Sequence, residues 1–130
     1  MEDVLFLIGR IIVAIFYLDN ARNHFLNLSA VAGYAGSKNV PMPTLAVTVS
    51  GLLLLGGALS FLLGFLPDLG VAMIVLFFLP VTFMMHDFWR IDDPQMKAMQ
   101  RINFMKNMGL MGSALMFLAI PEPWAYSIGG

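Results

Sequence analysis

The sequence contains no cysteine. Disulfides, thiolate zinc sites, iron–sulfur clusters, CxxCH haem attachment and thiol redox catalysis are therefore closed to it. Any redox chemistry must belong to a non-covalently held cofactor or to a partner. Charge is scarce as well. Only 12% of residues are Asp, Glu, Lys or Arg, against roughly a quarter in soluble proteins. The net charge of −1 offers no basic field for nucleic acid. A serine–histidine–acid triad, a glycine-rich phosphate loop and a paired-carboxylate constellation are also missing. Met1–Asp3 is acidic and no small-residue cleavage site follows the first apolar run, so that run is expected to be a retained span rather than a signal peptide.

What is abundant is apolar surface. Hydrophobic residues make up 59% of the 130, and the mean hydropathy is +0.82. A soluble domain of this size keeps too large a surface fraction to hide so much. Lipid is therefore the solvent for most of the chain. A helix needs about 20 mostly apolar residues to cross a bilayer, and open sheets cannot span lipid. Four segments come close to this: residues 4–25, 42–66, 69–86 and 103–120. The expectation is an all-α, integral membrane four-helix bundle forming one domain over 1–130. A short interfacial helix between spans one and two fits "LSAVAGYAGSKNVP". Pro80 should kink the third span. The link before span four, "DDPQMKAMQR", starts like a separate capped helix. Gly56, Ser60 and Gly64 on the second span, with Gly109 and Ser113 on the fourth, recur at four-residue spacing and read as helix-packing positions.

Four antiparallel spans would gather the ionisable chemistry at one face. Asp19, Asn20, Arg22 and His24 fall at the depth of His86, Asp87, Arg90, Asn103, Lys106 and Asn107. Six of the seven basic residues (Arg22, Lys38, Arg90, Lys97, Arg101 and Lys106) lie on that side. The positive-inside rule then places both termini outside the cytoplasm.

Arg10, Tyr17 and His24 are seven apart, close to one helical stripe. A mid-span arginine is a functional-site hypothesis by default; alternatively it ties helices together through backbone carbonyls. His24 and His86 are the only histidines. Two imidazoles alone are a weak metal signature, so no metal site is expected and haem ligation is disfavoured. They suit hydrogen bonds to a headgroup, a quinone carbonyl or a carboxylate, and Arg90 and Lys106 add donors. Asp87 would cap the link or pair with Arg90. Trp89 and Trp124 read as interfacial anchors at opposite faces. The candidate ligand-binding set is Arg10, Tyr17, His24, His86, Trp89, Arg90, Lys106 and Asn107.

The strings "GRIIVAIFYLDNARNHF", "AGYAGSKNVPMPTLAVTVSGLLLLGGALSFLLG", "FMMHDFWRIDDPQ" and "NFMKNMGLMGSALM" together resemble the DoxX family of small four-span membrane proteins. Gly9, Arg10, His24, Pro41, Gly56, Gly57, His86, Phe88, Trp89, Lys106, Asn107 and Gly112 stand at the matching motif positions. The family is named for a subunit of a thiosulfate:quinone oxidoreductase, and some relatives act as assembly factors or cargo receptors. The resemblance implies a bacterial inner-membrane location and a subunit associated with a quinone-linked oxidoreductase, binding a quinone or lipid-like ligand at the polar cap. The alternative it implies is a non-catalytic accessory subunit of a larger membrane complex, or a homo-oligomer. Whether the chain is itself an enzyme stays open, and without cysteine a thiol intermediate in sulfur transfer cannot form.

Overall fold

Proline sets where the long helices begin. The computed structural model describes residues 1–128, so the last two positions of the expected domain lie outside the described residues. Helix α1 runs Glu2–Leu26 and α2 Leu28–Ser37, followed by α3 (Pro43–Leu63), α4 (Pro67–Met85) and α5 (Pro94–Met116). The last three each start on a proline, whose fixed φ suits a first turn and whose missing N–H would have no partner there. Met42 and Leu66, in front of two of these prolines, adopt φ of 45° and 47°. Asp93 precedes the third and accepts a hydrogen bond from the Met96 amide at 3.0 Å, which caps α5.

The molecule is an all-α, multi-pass membrane protein. Helices α1, α3 and α4 are long and apolar enough to cross a bilayer. The fourth long helix, α5, has 23 residues but carries Lys97, Arg101 and Lys106 in its first half. It corrects the expected boundaries. The helix capped at Asp93 is not a separate link but the start of α5, because no proline follows Pro94 until Pro121. Pro80 lies inside α4, which runs on through it to Met85. The short α2 sits where an interfacial helix was expected. Helix α3 is the hub, with α1, α2 and α4 packed on it, and α5 packs on α4.

Close approach in the hub rests on small residues. A Cβ at Gly57 would stand 2.5 Å from Ile74 Cδ1, and one at Gly70 would stand 2.3 Å from Ser60 Oγ. Ser60 combines small size with hydrogen bonding, donating to the carbonyls of Phe65 (2.8 Å) and Leu66 (3.1 Å) in the α3–α4 turn. Gly109 is different. It faces outward with nothing within 4 Å, so it does not pack inside the bundle as its spacing suggested. Ser113 is half-buried and donates to the Leu110 carbonyl of its own helix.

Arg10 closes the end of the bundle that holds both chain termini. Its Nε donates to the Phe61 carbonyl at 2.8 Å, and Nη2 donates to Leu62 at 2.9 Å and Tyr126 at 3.3 Å. Its Nη1 donates to the Ala125 carbonyl. Phe61 and Leu62 belong to the last turn of α3, whose carbonyls have no helical donors. The Ile128 amide takes the Leu63 carbonyl at 2.8 Å, and the Phe65 amide takes Ser60. Carbonyls at a helix end packed inside the bundle are shut off from water, so these bonds satisfy them. The guanidinium also lies over the rings of Phe6 and Trp124, 5.4 and 5.5 Å from their centroids. Gly64 ends α3 at φ 66°, where a Cβ would also press on Arg10 and Ser127. Trp124 is only 3% exposed and packs on Phe6, Phe61 and Phe117. It plugs the bundle from within instead of anchoring at the lipid interface.

Candidate functional site

The opposite end holds a cavity of about 240 Å³ between α1, α2, α4 and α5. Helices α1 and α5 make little or no close contact among the described residues, and residues of both line the cavity. On α1, positions 10, 14, 17 and 21 are all buried along one face, and His24 continues it as a half-buried side chain. The expected stripe therefore exists, but its two ends serve different structures. Tyr17, Asn20 and His24 line the cavity from α1, while Arg10 belongs to the distant clasp. His86, at the C-cap of α4, lines it from the other side, and Lys106 and Asn107 close it from α5. Phe77, Phe78, Leu54 and Met85 supply apolar walls.

Both imidazoles are held at the same ring nitrogen. His24 Nδ1 is 2.8 Å from the Asn20 carbonyl oxygen, one helical turn back. His86 Nδ1 is 2.7 Å from Gln100 Oε1 on α5. A carbonyl oxygen can only accept, so each Nδ1 carries a proton and donates it in these contacts. His24 is further fixed edge-on to Phe77, at 5.7 Å between centroids. The Asn107 side chain is 6% exposed and Tyr17 is 2% exposed. Neither the Tyr17 hydroxyl nor the Asn107 amide finds a partner among the described residues. The cavity is thus lined by residues that carry two imidazoles, a phenol, an amide and an ammonium.

The remaining candidates lie elsewhere. Trp89 is 48% exposed and sits edge-on to Phe88 and Phe104, in an aromatic cluster outside the cavity. Arg90 is exposed and does not line it. Asp87 does not pair with Arg90. It accepts from Lys38 Nζ at 2.7 Å, which pins the C-terminal end of α2 to the end of α4. Among the described residues, no group of three or more His, Cys, Asp or Glu is placed to hold a metal ion. Sequence reasoning passed over Gln100, whose polar side chain gave no pattern to follow. It also passed over Gly51, where a Cβ would stand 2.9 Å from Phe25 and 3.1 Å from His24. That bare backbone lets the histidine turn of α1 sit against α3.

A family model described as DoxX matches residues 5–87, well over half of the chain. The chain belongs to the DoxX family. The match covers α1 to α4, so Tyr17, His24 and His86 lie within the family region of this DoxX protein, whereas Lys106 and Asn107 lie beyond it. The chain is also 27% identical over 127 residues to the inner membrane protein YphA of Escherichia coli (strain K12). That alignment covers 98% of this chain and 89% of the relative, and so extends through α5. No solved structure matches.

Proposed function

We propose that this DoxX protein binds a quinone ring in the cavity between Tyr17, His24, His86, Lys106 and Asn107, and serves a membrane oxidoreductase as a small subunit. The observation that carries the reading is the pair of imidazoles, each with Nδ1 committed to a carbonyl oxygen, on the lining of one cavity. Its volume of about 240 Å³ exceeds the ~150 Å³ that admits a benzene ring in an apolar protein cavity. Asn107, Lys106 and Tyr17 have the donors that ring carbonyls need, and a neutral Nε2 accepts from a ring hydroxyl. When bound, the ring would supply the electron-carrying chemistry. The protein's own contribution is to orient the ring oxygens, exclude water with Phe77 and Phe78, and exchange protons at Nε2.

By likeness to YphA, the membrane is a bacterial inner membrane. The basic end formed by Arg22, Lys38, Arg90, Lys97 and Arg101 then faces the cytoplasm and both termini face away. The outward strip of Gly109 and Gly112 on α5, bare of neighbours within 4 Å, supports a role beside a partner helix.

His24→Ala and His86→Ala are each expected to weaken binding of a quinone about tenfold, the ~1.4 kcal/mol of one hydrogen bond. Both bundles should stay folded, since alanine keeps the His24 Cβ beside Gly51 and each change removes one hydrogen bond, so melting should fall only slightly. Titration of the purified protein in nanodiscs, read by calorimetry, checks this. Unchanged affinity in both variants would remove the cavity from the account.

A further inference from the structure

The ring cavity lies beside a second, larger space, and the two share lining residues. A groove of about 560 Å³ runs between α2, the first half of α3 and the second half of α4. His24, Val31, Val81 and Met85 line both spaces, so they form a shared wall or threshold between them. The two linings differ in kind. Beyond the threshold, groove residues such as Val40, Leu45, Val49, Leu53 and Leu76 are all hydrocarbon, and Ser50 is the single hydroxyl. Leu45 and Val49 are about half exposed, so the groove is open along its length to the acyl region of the bilayer. Pro80 stands on its α4 wall and brings no backbone N–H into it.

A polar chamber that shares a wall with an apolar trough fits a ligand with a polar ring and a long hydrocarbon tail. A water-soluble ligand would gain nothing from such a trough. Resting on the ring-binding reading above, we infer that the groove holds the hydrocarbon tail of the cavity's ligand, which enters sideways from the bilayer past His24 and Met85. The substrate class is then a long-tailed membrane amphiphile rather than a free metabolite. Because lipid is as apolar as the groove, the tail adds little affinity by leaving it. The groove acts by shape instead: it lets the ring reach the histidines while the tail stays among hydrocarbon.

Filling the groove tests this, because it should exclude a tail and spare a ring. Ala46→Phe and Ser50→Phe each project a ring into the groove from α3, away from the polar chamber. Decylubiquinone and its tailless parent, dimethoxymethylbenzoquinone, are titrated into wild type and both variants in nanodiscs. The expected result is a drop of about tenfold or more for decylubiquinone in each variant, the size of one overpacked contact. The tailless ring should bind all three proteins alike. Full decylubiquinone affinity in both folded variants would overturn the tail assignment and leave the ring cavity standing. Failure of the tailless ring and of decylubiquinone to bind wild type would overturn the ring reading and the tail inference together.

Discussion

Replacing Arg10 with alanine is expected to destabilise the bundle by about 3 kcal/mol, more than any change near the histidines. The substitution removes the donors that serve four carbonyls, those of Phe61, Leu62, Ala125 and Tyr126. A buried acceptor left without its partner costs about 1–3 kcal/mol in a soluble protein, whereas interhelical bonds in membranes average nearer ~0.6. Four such losses, each between the membrane average and the soluble lower bound, give the figure. Arg10→Lys keeps the charge near the last turn of α3 but cannot fork to four oxygens, so it should recover less than half of the loss. Arg10→Met tests the stem alone. It keeps apolar contact with Phe6 and Trp124 but donates nothing, and should behave nearly like alanine. Trp124 reports the event directly: in a Trp89→Phe background it is the remaining indole, and its emission should move to the red as the C-terminal segment leaves the bundle. A loss below about 1 kcal/mol in detergent unfolding, on the scale of a single net hydrogen bond, would show that the clasp contributes little.

The second large effect is expected at Gly57. An alanine Cβ there would lie 2.5 Å from Ile74 Cδ1 and 2.6 Å from Cγ1. Ile74 is fully buried, so it has no free space to turn into, and overpacking of this kind costs about 1–3 kcal/mol. The neighbouring Gly56 supplies the control. Its Cβ would meet only Met73 Sδ and Cε, the flexible end of a long side chain, so Gly56→Ala should cost under about 1 kcal/mol. Gly109→Ala, in open space, should cost nothing measurable. The double variant Gly57→Ala with Ile74→Ala removes the clashing atoms. It should be less destabilised than the two single changes added together, by about 1 kcal/mol in a double-mutant cycle. Strict additivity would mean that α3 and α4 can move apart without penalty.

Composition alone carried the all-α membrane bundle, because lipid leaves a chain few other ways to satisfy its backbone. The helix starts were legible to within a few residues at Pro43 and Pro67, since proline acts locally. The start of α5 was not. Its first turns are polar, so hydropathy hid the continuity that the missing proline or glycine would have revealed. The depth of His24 and His86 followed from counting antiparallel spans, and the seven-residue stripe on α1 marked a real buried face. What periodicity could not show is which end of a stripe meets which partner. Arg10 shares a face with Tyr17 and His24, yet it is bound to carbonyls supplied by residues more than 50 positions away. Trp124 was misplaced for the same reason, because nothing local shows that a proline-flanked tail folds back under α1. Trp89 and Arg90 follow the end of α4 in sequence but turn out of the cavity on the 3-10 turn Phe88–Arg90.

The central claim is that two imidazoles share one ring-binding cavity, and the chain's two histidines allow it to be read directly. Nitrogen-15 NMR of the histidine-labelled protein in nanodiscs should give two side-chain spin systems, both with the proton on Nδ1. Addition of dimethoxymethylbenzoquinone should shift both Nε2 resonances, with one shared saturation curve. If both Nε2 resonances stay fixed at saturating quinone, or only one of them moves, the two histidines do not hold a common ligand and the cavity is not the site.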